Sequence, residues 1–127
     1  MSINEAFTNG QVLTVKGNIE TSCKKFTAHP KFQGVTLKHL VTGEQTDNRL
    51  SCYLVRVDKF CTLDTHTHPE QVEIHEVISG VGECTLGEST TSYVAGTVSI
   101  MPQGVAHKVV AGAEPLYILA TLSPALP

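Results

Sequence analysis

The chain has no tryptophan, and only 6% of its 127 residues are aromatic. It is also poor in net charge: the formal balance is −3, and arginine occurs only at positions 49 and 56. So mild a balance excludes the tracking of nucleic-acid phosphates and the attraction to membrane surfaces that dense positive charge gives. The lysines at 24, 25, 31 and 38 are scattered and read as solvated surface. No apolar run approaches the ~20 residues of a membrane span. Residues 1–10 are polar and do not look like a secretory signal. These absences predict a cytoplasmic protein with no nucleic-acid or membrane partner. The four cysteines, at 23, 52, 61 and 84, form no C-x-x-C pair. In a reducing compartment they are expected as free thiols. Cys52 reads as a core filler, and Cys61, five residues before His66, as a thiol placed to face the cavity.

What is present is a series of short, β-rich segments separated by Gly and Pro. The length suits one domain, able to bury roughly two-thirds of its unfolded surface. The pattern predicts strands over 11–16, 34–41, 50–57, 62–68, 71–79, 82–87, 91–94, 97–101, 107–111 and 115–122. It predicts a short helix over 2–8, a loop over 26–32 and a turn over 43–48. Regularly spaced short strands favour an all-β sandwich or barrel. Residues 1–30 are weakly patterned and are expected to pack as an extension on the barrel or on a partner. Leu116–Leu122 is almost continuously apolar, which suits a strand buried on both faces or covered outside by a second subunit.

The chemistry concentrates in H-T-H-P-E-Q-V-E-I-H-E-V-I-S-G, residues 66–80, and in P-Q-G-V-A-H, residues 102–107. On an extended strand, residues two apart project to one face. His66 and His68 therefore aim together. Pro69 and Glu70 break the strand, and an antiparallel return is expected to bring Glu73 opposite them. His107 follows a Pro/Gly turn and opens the next strand. Three imidazoles and a carboxylate suit borderline divalent metals: Zn, Fe, Ni, Co, Mn or Cu. Such a set can leave positions open to water or substrate. His75 shares the face of Glu73. It is a candidate catalytic acid or base, its ordinary pKa lying near 6.5; the alternative is a histidine that hydrogen-bonds Glu73 or a tyrosine and only orients the site. Gln71 shares that face too, whereas Glu70 and Glu76 read as bystanders. Arg56 is an anchor for a carboxylate if it faces inward, or a rim residue if it does not.

These two segments resemble the cupin superfamily. The first cupin motif is H-x-H, three or four residues, Glu, six residues, Gly, met here by His66, His68, Glu73 and Gly80. The second is Gly, five residues, Pro-x-Gly, two residues, His, met by Gly96, Pro102, Gly104 and His107. Two positions depart: Phe60 and Ala111 stand where glycine and asparagine are common. Neither is a ligand position, so the departures touch the choice of subfamily and not the metal set. The resemblance implies a double-stranded β-helix, or jelly-roll barrel, with His66, His68, Glu73 and His107 holding one divalent transition metal (Zn, Fe, Mn, Ni or Cu) inside it. It also implies a small-molecule ligand or substrate and a homodimer. The functional expectation is a metal-dependent enzyme of lyase, isomerase or dioxygenase type acting on a small polar metabolite. The alternative is a non-catalytic module that binds a small molecule or sugar.

Overall fold

The computed structural model describes residues 2–127. One short helix, α1 (Ile3–Thr8), precedes twelve strands. They are β1 (Gln11–Thr14), β2 (Gly17–Glu20), β3 (Thr27–Ala28), β4 (Val35–Val41), β5 (Ser51–Val57) and β6 (Thr62–His66). There follow β7 (Val72–Ser79), β8 (Val81–Leu86), β9 (Ser89–Val94), β10 (Val98–Met101), β11 (His107–Ala111) and β12 (Leu116–Ser123). A six-stranded sheet has the order β10-β7-β12-β5-β4-β3, and a four-stranded sheet the order β6-β11-β8-β9. All pairings in both are antiparallel. The result is an all-β jelly-roll barrel.

Alternation builds the core. On β12, Leu116, Ile118, Ala120 and Leu122 are buried, and the residues between them are half-buried. Together with Val55, Val57, Val77, Leu63, Tyr93 and Val109, they form one cluster between the two sheets. Each such aliphatic side chain contributes about 1.5–3 kcal/mol on full burial. Gly80, the glycine that closes the first motif, joins β7 of one sheet to β8 of the other. It has φ +93, and a Cβ there would lie 2.0 Å from the carbonyl oxygen of Pro115. Only glycine fits that crossing.

The outer face of the larger sheet carries a second cluster of Leu40, Leu54 and Ile78, against which Val12, Phe26, Tyr117 and Leu119 pack. The outer face of β12 is thus met in part by this chain's own N-terminal segment. Lys38 corrects the expectation of a solvated lysine: it is 3% exposed. Its Nζ donates to the carbonyl oxygens of Thr8 and Thr21, both at 2.9 Å, and lies 5.0 Å from the centre of the Phe26 ring. The 26–32 loop contains the short strand β3, and β2 was unforeseen; both owe their pairing to β4 and β1 rather than to local pattern.

The expected hairpin between the His66 strand and the Glu73 strand does not form. β6 pairs with β11, and β7 with β10 and β12. The first strand ends at His66, and residues 67–71 carry the chain from one sheet to the other. Glu73 therefore meets the histidines across the barrel rather than along a shared ladder.

Candidate metal centre

Two of the four donors are cross-strand neighbours. His107 opens β11 directly opposite His66, the last residue of β6. Their ring centroids lie 4.2 Å apart, and a register irregularity follows between His107 and Val109. His68 stands beyond the strand, in a loop fixed by the turn of the second motif. The Gly104 N–H donates to the His68 carbonyl at 3.0 Å, and Gln103 Nε2 donates to the Pro69 carbonyl at 2.7 Å. The two motifs, distant in sequence, thus brace each other. Glu73 comes from the opposite sheet, in register with Met101 on β10 and Leu122 on β12.

The four side chains offer donor atoms that all lie within 4.8 Å of one another. Glu73 Oε1 is 3.1 Å from His107 Nε2 and 3.5 Å from His68 Nε2. Glu73 and His107 are buried, and His66 and His68 are half-buried on the open side. Despite the 3.1 Å approach, Glu73 Oε1 and His107 Nε2 form no hydrogen bond and have no other partner. Buried polar atoms without partners are costly and rare. Here two of them converge, with two further imidazoles, on one point. A cation at that point would satisfy them all, so the donor set fits a metal ion.

The protonation states agree. His66 Nδ1 lies 2.7 Å from the Asp64 carbonyl, and His107 Nδ1 3.2 Å from the Val105 carbonyl. A carbonyl only accepts, so Nδ1–H donates and Nε2 keeps its lone pair for the centre. Burial pushes His66 and His68 below the ordinary imidazole pKa, and charge on neighbouring histidines adds to the effect. Burial alone would raise the Glu73 carboxyl. In the metal-free chain an N–H of His107 or His75 turned to Glu73 outweighs it and holds the group well below the usual carboxylate range; a bound metal would take the place of the His107 proton. Neutral imidazoles and an ionised carboxylate are the forms that ligate metals.

His75 lies behind Glu73 and outside the four-donor cluster. It is 2% exposed. Its Nε2 is 3.0 Å from Glu73 Oε2, and its Nδ1 2.9 Å from the Tyr93 hydroxyl. Tyr93 is in turn hydrogen-bonded to Ser99 Oγ.

A profile of the family described as Cupin domain matches residues 53–122, the span that holds all four donors. The chain belongs to the cupin family. An uncharacterized protein of Streptomyces coelicolor is 38% identical over 63 residues, which are 50% of this cupin and 60% of that protein. The match thus spans less than two thirds of that relative's length. The structure of KdgF from Halomonas sp. superposes with a TM-score of 0.72 at 19% identity, covering 83% of this cupin and 90% of that chain. A predicted oxalate decarboxylase from Thermotoga maritima superposes with a TM-score of 0.71 at 20% identity, covering 81% and 92%. At such identities the structural likeness speaks for the fold alone.

The remaining candidates of this cupin separate clearly. Glu70 and Glu76 are exposed, and Gln71 is buried on the Glu73 face. Arg56 faces outward from the barrel, over the Tyr117 ring at 5.7 Å, with Nε 2.9 Å from Asp58 Oδ1. Cys61 packs against the core. All four cysteines are free thiols. Sequence reasoning missed His29 and Phe32. The Phe32 ring lies 5.8 Å from that of His66, and His29 stacks on Phe32 at 4.6 Å. His29 Nδ1 accepts from the backbone N–H groups of Lys31 and Phe32. Nothing in the local pattern of 26–32 marks them as rim residues. Tyr93 and Ser99 were missed too, although the alternation in β9 and β10 gives the face they occupy. A concavity of about 920 Å³ between the β1–β2 hairpin and residues 41–46 is lined by none of the four donors. Among the described residues, no helix is long and apolar enough to cross a membrane.

Proposed function

We propose that this cupin holds one divalent transition metal through His66, His68, Glu73 and His107, and that it is an enzyme acting on a small polar metabolite inside the barrel. The observation that carries this reading is the pair of partnerless buried atoms, Glu73 Oε1 and His107 Nε2, within a four-donor cluster. The mixed N/O set suits Zn, Fe, Mn, Ni or Cu. When bound, such an ion supplies Lewis acidity or redox chemistry to a coordinated substrate. The chain's own contribution is positional. Glu73 and His107 form the buried floor, and the half-buried His66 and His68 form the side from which a small molecule enters. The Phe32 and His29 rings narrow that side. Lyase, isomerase and dioxygenase chemistries are all consistent with this arrangement. The reading includes a homodimer, checked by light scattering at micromolar concentration.

Elemental analysis of the purified protein tests the proposal. One equivalent of Fe, Mn, Ni, Cu or Zn is expected, with loss of it in a His66→Ala/His68→Ala variant. A metal-free preparation, with that variant unchanged in stability and ligand binding, would sink the metalloenzyme reading. Small-molecule binding that survives metal removal, without turnover, would favour the non-catalytic binding module instead.

A further inference from the structure

Glu73 has two oxygens, and only one faces the imidazoles. Oε1 is turned toward His107 and His68, at 3.1 and 3.5 Å. Oε2 is 3.0 Å from His75 Nε2. The terminal torsion of a glutamate is broad, and a carboxylate can ligate a cation through one oxygen or both. The neighbours must therefore choose which oxygens are offered.

The hydrogen-bond chain behind Glu73 has one consistent neutral assignment. The carboxylate only accepts, so His75 Nε2–H donates to Oε2. In a neutral ring, Nδ1 then accepts from the Tyr93 O–H. The Tyr93 oxygen accepts from Ser99 Oγ–H. Each link has one donor and one acceptor, and no buried charge is added. The backbone holds the chain in place: Ser99 on β10 lies in register with His75 on β7. Tyr93, on β9 of the other sheet, is 1% exposed. Three strands from both sheets thus converge on the Oε2 side of one carboxylate.

Resting on the metal reading above, we infer that His75, held by Tyr93 and Ser99, is a positioning residue that fixes Glu73 as a one-oxygen donor. Oε2 is engaged by His75 and kept from the metal. The role explains why a histidine lies buried beside the ligands without being one, with both ring nitrogens occupied.

The test uses the full chain stripped with a chelator and titrated with Co(II) alone, following affinity and the visible absorption of the bound ion. His75→Ala should bind Co(II) about 10–100-fold more weakly, the usual cost of losing a partner of a ligand. Its absorption spectrum should change, because Oε2 is freed to ligate. His75→Gln, which keeps an N–H donor near the Nε2 position, should restore much of both. Tyr93→Phe removes one hydroxyl and little packing; it should give a smaller shift in the same direction. It decides the matter if His75→Ala does not fold, as judged by circular dichroism of the metal-free protein. Wild-type affinity and spectrum in folded His75→Ala, or in Tyr93→Phe where the alanine variant is unfolded, would overturn the positioning role and leave the metal site standing. Failure of the wild-type chain to bind Co(II) would overturn both.

Discussion

Lys38 and Glu73 are both charged, both almost wholly removed from water, and both on the six-stranded sheet. They point to opposite faces of it. On the outer face, the Lys38 ammonium has two carbonyl acceptors at 2.9 Å and an aromatic ring beneath it. Those carbonyls belong to Thr8 and Thr21, so the charge fastens the N-terminal segment to the barrel. On the inner face, Glu73 has one oxygen held by His75 and the other without a hydrogen-bond partner. A buried charge must be compensated. Lys38 is compensated by the fold, whereas Glu73 Oε1 has only the imidazoles of the four-donor cluster near it. On the metal reading proposed above, the difference separates a structural charge from a functional one more sharply than burial does.

The sharpest break of this comparison is a pair of variants measured two ways. Glu73→Gln should lower metal affinity by more than about 100-fold, beyond the cost of losing a mere partner of a ligand. Lys38→Met keeps the aliphatic stem and removes the donors. It should lose about 3–6 kcal/mol in denaturant unfolding, since it gives up two bonds to a charged group worth roughly 1.5–3 kcal/mol each. Its metal affinity should stay within about twofold of wild type, too small a change to register as even half of a 1.4 kcal/mol decade. A Lys38→Met variant that released metal as Glu73→Gln does would dissolve the distinction.

A smaller effect follows from pH. His66 and His68 have lowered pKa values in the folded chain, first because they are buried. Below the ordinary value near 6.5, the unfolded imidazoles take up protons that the folded ones still refuse. The unfolded state then binds more protons, so stability of the metal-free protein falls as pH drops through that window. The Glu73 carboxyl, held low by His107 and His75 against its burial, adds loss of the same sign at more acid pH. Metal retention should follow: bound ion is kept down through pH 6.5 and released only below it, as read by a colorimetric chelator. Release centred at or above 6.5 would mean that the site histidines titrate as exposed ones do. Lys38 contacts none of the four donors, so Lys38→Met should leave the release midpoint unmoved.

The four clustered donors were legible because their signal is local. His66, His68, Glu73 and His107 sit in short motifs whose spacing survives without knowledge of the sheet order. The pairing of β6 and β7 was not legible. Parity assigns a residue to a face, but it does not say whether the next strand continues the same sheet. Here residues 67–71 cross between sheets, and the expected hairpin became a meeting across the barrel. Lys38 was misread for a related reason. Its place on the outer face followed from alternation with Val35 and Leu37, but the cover over that face comes from residues 7–26, which carry little pattern of their own. Tyr93 and Ser99 reach His75 only through the register of β10 on β7 and the closure of β9 over it, both long-range facts. Thus the residues that make up the donor cluster were readable, and those that hold them in place were set by tertiary structure.

Gly104 belongs to both sides of the comparison, which makes its predicted effect the smallest and the most discriminating. Its φ is +77, and a Cβ built on it meets nothing within 4 Å. Substitution there costs no packing, only the strain of a left-handed backbone. Yet its N–H donates to the His68 carbonyl, so that strain is felt where a ligand is anchored. Gly104→Ala should therefore lose about 1 kcal/mol of stability. It should weaken metal binding by less than about tenfold, under the range for losing a direct partner of a ligand. Gly104→Asn should recover part of both, because asparagine enters the left-handed region more readily than alanine. Paired recovery would mean that the turn acts on the metal by holding His68. Recovery of stability without recovery of affinity would mean that His68 is held by Gln103 and the strand end instead, and that the turn belongs with Lys38 among the purely structural devices.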